Sequence, residues 1–413
     1  MSPRGPIEAQ ELEMVEGLQE LIRSRPAGHS LPQAFYTSPD VYRLDVERVL
    51  RRHWNLVGHV SAIPRVGDYL VAEYDRDSAI VVRGDGDRIH ALANVCRHRG
   101  SRICSIDAGH AQGAALRCPY HGWTYNLDGS LRKAPWFGPD ADTSTLGLVT
   151  LPVEVCQGLI FVSFGADPLD FDGVRRAFDE AFGAFDWWNA KVAHLGRYTF
   201  PANWKLALEN QVECYHCLPS HPEFARVHAM ARKGSAGAAS RVVDRWAMES
   251  VSGAELLFCS DNALEGTAQT GSEDGRLVGP LMGAAEAVGS FVIAYAGIVN
   301  HFLAYADYGC ALRYEPKSAV ETELTVTWLV RGDADAAVDY DLERLTWMWR
   351  VTVAEDQRIV GENQRGVSSS AYAPGPYVLP IESKTLRLTD WYLHELERAS
   401  AAPVGSPSLG LDR

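Results

Sequence analysis

The sequence predicts an α+β protein in which an all-β domain comes before a domain of helices and antiparallel strands. Three observations predict this fold class. The chain has 413 residues, more than one ordinary domain needs. Short apolar stretches separated by glycine turns fill the region from about residue 54 to residue 165. Helical patterns then alternate with long strand-like segments from residue 171 onward.

Strands in the first block follow from alternating or continuous apolar residues between turn signals. Asp85-Gly86 and Asp128-Gly129 are dipeptides typical of hairpin turns, and each separates two such stretches. The predicted strands are Asp68–Glu73, Ala79–Arg83, Ile89–Val95 and Leu159–Phe164.

Helices are predicted where apolar residues recur at helical spacing. An amphipathic helix is expected over residues 8–23, where Leu12, Val15, Leu18 and Ile22 share a face and Pro26 and Gly28 end the pattern. Further helices are expected at Val174–Phe185, Asn203–Cys217 and Asp341–Gln364, and antiparallel strands at residues 291–306 and 321–331. On the helix Asp341–Gln364 one side carries Leu342, Leu345, Trp349, Val353 and Ile359.

Composition excludes several classes of protein. The formal charge of −14, without a long basic run, disfavours nucleic acid as a partner. The eight cysteines lack the regular spacing of a disulfide scaffold. Neither a signal peptide nor an apolar run of roughly 20 residues is present, so we expect a cytoplasmic, soluble protein with no membrane contact.

Two cysteines and two histidines form a first metal-binding pattern inside the β block. Cys96 and His98 are paired as C-x-H, and Cys118 and His121 as C-x2-H. This donor set fits a [2Fe–2S] cluster in which thiolates hold one iron and imidazoles hold the other. The alternative is a structural Cys2His2 zinc site, although zinc modules more often pair cysteine with cysteine and histidine with histidine.

A second metal-binding pattern lies in the segment NWKLALENQVECYHCLPSHP. Glu213 and His216 are three residues apart, which would place them on one face of a helix, and His221 follows the Pro219 break. Two histidines plus a carboxylate form the facial triad of Fe(II) oxygenases. The alternative is a surface pair of histidines without a metal.

These motifs resemble the Rieske non-haem iron oxygenase α subunits. The segments NVCRHRG and CPYHGW resemble the Rieske fingerprint over about residues 45–165, and the second motif resembles the family's E/D-x2-H-x4-H element. The resemblance implies an N-terminal helical arm (residues 1–44), a Rieske [2Fe–2S] domain (45–165) and a catalytic iron domain (166–413). It further implies a helix-grip, START-like catalytic fold, with an antiparallel sheet around a long helix.

The resemblance also assigns roles to individual residues. Cys96, His98, Cys118 and His121 would hold the cluster, and His216 and His221 would hold the mononuclear iron. Asp356, ahead of an NQRG-like element, would supply the carboxylate, with Glu355 and Glu362 as competitors. Glu213 would bridge an iron ligand to a Rieske histidine of the neighbouring subunit, although the family usually has aspartate there. Asn210, Trp204 and Lys205 match the NWK…EN element around the iron.

Within the family, the chain resembles the branch of choline, glycine betaine, stachydrine and carnitine oxygenases. The similar segments are ECYHC-x3-HP, DGRLVGPLMG, HFLAYADY and ENQRGVSSSAYAPGPYVLPIES followed by DWYLHEL. A quaternary ammonium group offers no N–H donor, so its binding is expected to depend on aromatic faces. The candidate aromatic residues are Trp246, Phe258, Phe291, Tyr295, Phe302 and Tyr305; each could instead belong to the core of the sheet.

The resemblance therefore implies the oxygenase component of a monooxygenase that hydroxylates or oxidatively N-demethylates a small substrate with O2. Electrons would come from NAD(P)H through a separate flavin/[2Fe–2S] reductase, and a head-to-tail homotrimer would bring cluster and iron of neighbouring subunits together. Two rival functions remain open. One is an aromatic-ring oxygenase α subunit with a β partner, and the other is a non-catalytic iron–sulfur or zinc protein.

Overall fold

The computed structural model describes residues 17–138, 142–228, 243–246 and 257–401. Helix α1 occupies residues 17–23 and buries Leu18 against the core. Leu12 and Val15, the other part of the predicted amphipathic helix, lie outside the described residues, as does the tail after Ala401. Two short helices follow, α2 (Ala34–Thr37) and α3 (Pro39–Leu44).

The first domain is built from short antiparallel strands, as the sequence predicts. Strands β1, β11 and β10 form one sheet, β5-β2-β3-β4-β9 a second, and β6-β7-β8 a third. Their bounds are β1 Asn55–His59, β2 Asp68–Tyr74, β3 Asp77–Arg83, β4 Ile89–Ala93, β5 Ala108–His110, β6 Ala115–Arg117, β7 Thr124–Asn126, β8 Leu131–Lys133, β9 Thr150–Leu151, β10 Val153–Cys156 and β11 Leu159–Val162.

The second domain combines helices with a long antiparallel sheet, which confirms the predicted α+β class. The seven strands run in the order β12-β18-β17-β16-β15-β14-β13. The helices are α4 Asp172–Phe182, α5 Trp204–Gln211, α6 Cys217–Ser220, α7 Pro222–Val227, α8 Leu342–Val367 and α9 Ser383–Ala401. The strands are β12 Ala190–Phe200, β13 Val243–Trp246, β14 Leu257–Ala263, β15 Ser290–Ala296, β16 Asn300–Tyr305, β17 Gly309–Ser318 and β18 Glu321–Arg331.

The two faces of this sheet have different neighbours because side chains alternate along each strand. One face carries Phe291 and Tyr305 and belongs to the same apolar core as helix α8. The other face carries Phe302, which contacts Phe161 of the first domain and Phe178 of α4. One face of the sheet therefore packs with helix α8, and the other face packs against α4 and Phe161.

Helix α8 places a carboxylate in an otherwise apolar stripe. The Asp341 side chain caps its first turn by accepting a hydrogen bond from the Arg344 N–H over 2.9 Å. Leu345, Trp349 and Val353 are buried at helical spacing, as predicted, whereas Leu342, the first residue of the helix, is 40% exposed. Asp356, one turn beyond Val353, is also buried. A buried carboxylate requires partners, and the site described below supplies them.

The prediction of one continuous helix over Asn203–Cys217 is wrong, because α5 ends at Gln211. The Gln211 carbonyl accepts a hydrogen bond from the Tyr295 hydroxyl over 2.9 Å. The Glu213 carboxylate accepts hydrogen bonds from the backbone N–H groups of Tyr215 and His216. These are groups that a continuing helix would use internally, so the chain turns sharply between α5 and α6.

The segment 291–306, predicted as strand, forms the two strands β15 and β16 with a turn between them. Gly297 adopts a φ of 71° in that turn, a conformation that is unfavourable for residues with a Cβ atom. In the part of the chain that the structure describes, no helix combines the length and apolar character required to cross a membrane.

Candidate metal centres

The four residues of the first motif lie on two loops at the tip of the β domain. One loop follows β4 and carries Cys96 and His98, and the other connects β6 to β7 and carries Cys118 and His121. Each loop closes with a hydrogen bond back to its cysteine carbonyl, from Gly100 N–H over 3.0 Å and from Gly122 N–H over 3.1 Å. The two loops therefore have the same local structure.

The donor atoms of these loops lie in pairs. The thiols of Cys96 and Cys118 are buried next to each other. Nδ1 of His98 and Nδ1 of His121 are 3.1 Å apart, and both imidazoles are exposed. Two adjacent thiols beside two facing imidazoles fit a [2Fe–2S] cluster with mixed ligands. The exposed imidazoles place that cluster next to the protein surface.

Further contacts order this tip. The Tyr125 hydroxyl accepts a hydrogen bond from Arg97 N–H over 3.1 Å and lies 3.2 Å from the Cys96 sulfur. The His98 ring stacks on Trp123 with ring centroids 5.0 Å apart. Hydrogen bonds to a ligand sulfur and packing around an imidazole tune such a centre.

The second motif and helix α8 converge on one point. Ligand atoms of His216, His221 and Asp356 all lie within 4.8 Å of one another. Oδ1 of Asp356 is 3.0 Å from Nε2 of His221 and 3.6 Å from Nε2 of His216. Two imidazoles and one carboxylate on one side of a site fit the facial triad of Fe(II) oxygenases. The turn after α5 and helix α8 create this arrangement together.

Two glutamates hold the far sides of the imidazole rings. Oε1 of Glu213 lies 2.5 Å from Nδ1 of His216, and Oε2 of Glu355 lies 2.8 Å from Nδ1 of His221. A carboxylate that accepts from Nδ1–H leaves Nε2 free for a metal and fixes the ring orientation. Nδ2 of Asn210 lies 3.1 Å from Nε2 of His216, at the edge of the same point.

The structure separates the three acidic candidates for the iron carboxylate. Asp356 faces both Nε2 atoms, whereas Glu355 contacts the outer nitrogen of His221. Glu362 is exposed and pairs with Arg365 over 2.9 Å. The geometry therefore favours Asp356 as the ligand and Glu355 as the residue that orients His221.

The charges around His221 favour a bound cation. Burial opposes the charged imidazole, but the hydrogen bonds and charges of Asp356 and Glu355 outweigh burial and raise the pKa of His221. Two carboxylates around a buried imidazole stabilise positive charge at this point, and a divalent ion would supply it.

The aromatic residues predicted to bind a quaternary ammonium group lie on both faces of the seven-stranded sheet. Phe291 and Tyr305 stack with ring centroids 5.5 Å apart on the α8 side of the sheet. Phe258 and Tyr295 contact each other on the same side, 5.6 Å between centroids. Phe302 lies on the opposite face, so its prediction as a lining residue is not supported. Trp246 ends β13, and its side chain lies outside the described residues.

The sequence missed three aromatic side chains close to the iron ligands: Phe224, His228 and Trp349. Phe224 contacts the His221 ring, stacks on His228 at 3.8 Å and meets Trp349 edge-on at 5.8 Å. Sequence spacing could have indicated two of them, since Phe224 follows His221 by three residues and Trp349 precedes Asp356 by seven on the same helix. Neither residue carries a metal-binding pattern, so motif reasoning passed over both.

His228 connects this group to Tyr305. Nδ1 of His228 lies 2.9 Å from the Phe224 carbonyl, which can only accept, so Nδ1 carries the proton. Nε2 then accepts from the Tyr305 hydroxyl over 2.8 Å. Burial lowers the pKa of His228 to about 4, so the ring is neutral at pH 7 and does not repel a cation.

Both domains match known families. Residues 53–151 match the Rieske [2Fe–2S] domain, and residues 185–398 match the catalytic domain of the ring-hydroxylating α subunits. With the two metal centres, these matches define the class of protein as a Rieske-type oxygenase, an oxidoreductase that uses a [2Fe–2S] cluster and a non-haem iron. The chain belongs to this family.

Curated relatives indicate which branch of this family the chain resembles. The chain is 35% identical over 396 residues to the glycine betaine monooxygenase oxygenase subunit of Chromohalobacter salexigens, covering 90% of this chain and 87% of the relative. It is 32% identical over 218 residues to the carnitine monooxygenase oxygenase subunit of Acinetobacter baumannii, covering 51% and 58%. Relatives named as oxygenase subunits imply a separate reductase partner, and O2 and NAD(P)H are typical of the family.

Solved structures agree on the fold. The quaternary ammonium Rieske monooxygenase CntA in complex with L-carnitine superposes with a TM-score of 0.69 at 22% identity, covering 92% of this chain and 98% of that chain. A naphthalene 1,2-dioxygenase from Rhodococcus superposes with a TM-score of 0.61 at 19% identity, covering 94% and 99%. These likenesses concern the fold alone.

Proposed function

We propose that the chain is the oxygenase subunit of a monooxygenase that oxidises a small quaternary ammonium compound of the betaine type. The observation that carries this proposal is the 35% identity to a glycine betaine monooxygenase oxygenase subunit over 90% of the chain. The uncharged aromatic side chains near the iron ligands, Phe224, Phe291 and Tyr305, support it, because aromatic faces attract quaternary ammonium cations.

In this proposal, Cys96, Cys118, His98 and His121 hold the [2Fe–2S] cluster. His216, His221 and Asp356 hold Fe(II). The support is the paired donor atoms at the tip of the β domain and the three ligand atoms within 4.8 Å of one another in the catalytic domain. Glu213 and Glu355 act by accepting the outer N–H groups of the iron histidines.

Fe(II) held by His216, His221 and Asp356 would supply the activation of O2, so that one oxygen atom enters a C–H bond and the other leaves as water with two electrons and two protons. The chain's own residues hold the reactants for this chemistry. Glu213 and Glu355 keep both Nε2 atoms aimed at the metal. Phe224, Phe291 and Tyr305 give the substrate cation an apolar surface without a competing positive charge.

The product depends on which carbon is oxidised. Hydroxylation of an N-methyl carbon yields an N-hydroxymethyl ammonium. This species loses formaldehyde and a proton and leaves the demethylated tertiary amine. Hydroxylation of the arm carbon bonded to nitrogen breaks that C–N bond in the same way and releases a trimethylated amine and an aldehyde of the arm. Hydroxylation of a carbon farther from the nitrogen yields a stable alcohol. The substrate is therefore expected to be demethylated only if a methyl group, and not the longer arm of the molecule, faces the iron.

We infer a head-to-tail homotrimer in which the cluster of one subunit lies beside the iron of the next. Exposed aromatic residues flank the cluster histidines, namely Tyr120, Phe137 and the fully exposed Trp136. They border an open depression of about 800 Å³ that His98 and His121 also line. Tyr215 and Leu218 are exposed on either side of His216, Tyr215 in the turn between α5 and α6 and Leu218 in α6. Two apolar surfaces, each next to one metal centre, are suited to cover each other.

Substrate-dependent O2 consumption tests the proposed function. Reconstituted protein, supplied with NAD(P)H and a Rieske-type reductase, is expected to consume O2 and release formaldehyde with glycine betaine, carnitine or a related betaine. The rival is a ring dioxygenase, since the chain is 34% identical to a benzene 1,2-dioxygenase α subunit of Pseudomonas putida over 46% of its length. Turnover of aromatic hydrocarbons and not of betaines would favour that rival.

A further inference from the structure

Cys214 and Cys217 form a C-x-x-C pair that encloses His216, a proposed iron ligand. The same spacing occurs in proteins whose two thiols form a reversible disulfide. The pair lies where α5 has ended and α6 begins, so the backbone between the two cysteines is a turn and not a helix. All eight cysteines of the chain are free thiols in the structure.

The geometry of the turn brings the two thiols together. The Cys217 N–H donates a hydrogen bond to the Cys214 carbonyl over 3.3 Å, which closes a four-residue turn. Such a turn holds its first and last Cα atoms within about 7 Å, close to the range that a disulfide requires. The neighbouring Cys214 thiol, together with burial, raises the pKa of the Cys217 thiol. Cys217 is buried and Cys214 is half-buried.

A covalent link between these sulfurs would act directly on the iron site. The linked loop would contain only Tyr215 and His216, whose N–H groups the Glu213 carboxylate accepts. His216 must also keep its Nδ1 against Glu213 and its Nε2 toward Asp356. Closure of a ring this small restricts the backbone torsions on which all of these contacts depend.

We propose that Cys214 and Cys217 are a modification site that hydrogen peroxide converts to a disulfide, and that the disulfide releases the iron. The inference rests on the iron site proposed above. Cys214 is oxidised to a sulfenic acid as one peroxide oxygen is transferred and the other leaves as water. Cys217 then attacks that sulfur, the S–S bond forms and a second water leaves. Peroxide is the two-electron reduction product of O2, the co-substrate of the family.

The experiment treats iron-loaded protein with a small excess of hydrogen peroxide, removes small molecules and measures two quantities. Mass spectrometry of the tryptic peptide 206–226 is expected to show the loss of two hydrogen atoms. Bound mononuclear iron is expected to fall about tenfold, the effect of losing a contact that orients a metal ligand. A dithiol reductant followed by Fe(II) is expected to restore both. The visible spectrum of the cluster serves as the control for damage at Cys96 and Cys118.

Variants make the outcome decisive. Cys214→Ser, at the half-buried position, is expected to keep its iron after peroxide treatment, and Cys217→Ser checks the other sulfur. Cys156→Ser, whose thiol contacts the Arg175 carbonyl, is the matched control and should lose iron as the wild type does. Absence of the linked peptide, or a linked peptide with unchanged iron, would overturn the inference. Failure to load iron before treatment would instead count against the proposed function.

Discussion

Oε1 of Glu213 lies 2.5 Å from Nδ1 of His216, so the carboxylate orients a proposed iron ligand from within the same chain. The same side chain also accepts the N–H groups of Tyr215 and His216 and so holds the turn that follows α5. A bridge to a cluster histidine of the neighbouring subunit would add a second role to a residue that is already structurally committed. A substitution that removes only the charge of Glu213 can therefore separate its structural role in the turn from a role in electron transfer.

Glu213→Gln is expected to retain cluster and iron, since the amide oxygen can still accept from the N–H groups of Tyr215 and His216 and the proposed iron ligands are unchanged. Electron transfer from cluster to iron should slow by about tenfold or more, because loss of the charge weakens the hydrogen bond to the imidazole. Single-turnover oxidation of the pre-reduced cluster, with substrate and O2, measures this step. Glu362→Gln, at an exposed acid, is the control. An unchanged rate would show that the charge of Glu213 has no part in electron delivery.

Two consecutive acids on α8 should have separable roles. Asp356→Ala is expected to remove bound iron and abolish turnover while the cluster spectrum stays intact, because Asp356 faces both Nε2 atoms. Glu355→Gln should weaken iron binding by about tenfold without abolishing it, because Glu355 contacts only the outer nitrogen of His221. Metal analysis after dialysis distinguishes the two. The reverse order of effects would move the ligand role to Glu355.

Phe291 and Phe302 are buried on opposite faces of the same sheet, which makes them a matched pair. Phe291→Leu is expected to raise KM for a quaternary ammonium substrate about fivefold, through the loss of roughly 1 kcal/mol of cation–π attraction. Phe302→Leu should cost about 1 kcal/mol of stability and leave KM unchanged. Steady-state kinetics and thermal unfolding are the measurements. Equal KM values in both variants would place the substrate away from Phe291.

Glu209 should make stability depend on pH. Burial raises its pKa from 4.5 to about 7, although the Tyr36 hydroxyl, which donates to it over 2.8 Å, works in the opposite direction. The folded state therefore keeps a proton that the unfolded state releases. The stability from this proton is fully present below the unfolded pKa and is lost as pH rises through about 7.

Glu209→Gln is expected to remove this dependence, which amounts to about 3 kcal/mol over the full window. Thermal unfolding of both proteins at about pH 5 and about pH 8 gives the comparison, and the wild type should lose more stability than the variant toward the higher pH. Parallel curves for the two proteins would show that Glu209 titrates normally.

Trp136 provides a test of the proposed trimer. Its side chain is fully exposed beside the cluster histidines, so Trp136→Ala should leave the fold of one subunit unchanged. Weaker self-association and slower electron transfer from cluster to iron are expected, because the substitution removes apolar contact area from the proposed interface. Sedimentation velocity and single-turnover oxidation measure the two effects. Trp188→Ala, at another exposed tryptophan, is the control. Identical behaviour of both variants would count against this surface as the interface.

The sequence alone determined the all-β domain, the long helix α8 and both metal motifs. Turn residues, alternating strands and donor spacing are local properties, and each can be read from a short window of residues. The position of Asp356 depended on a family resemblance, since a single acid in a charged helical segment carries no pattern of its own. Domain limits at residues 44 and 165 stay a prediction.

Only the tertiary structure decided which residues surround the iron. The break after Gln211 depends on Tyr295, a residue of a distant strand whose hydroxyl takes the carbonyl that the helix would have used. The choice among Glu355, Asp356 and Glu362 depends on how α8 is rotated against the turn that carries His216 and His221. The different environments of Phe291 and Phe302 depend on which face of the sheet packs with α8 and which packs against α4. These are long-range contacts, and no local pattern of the chain contains them.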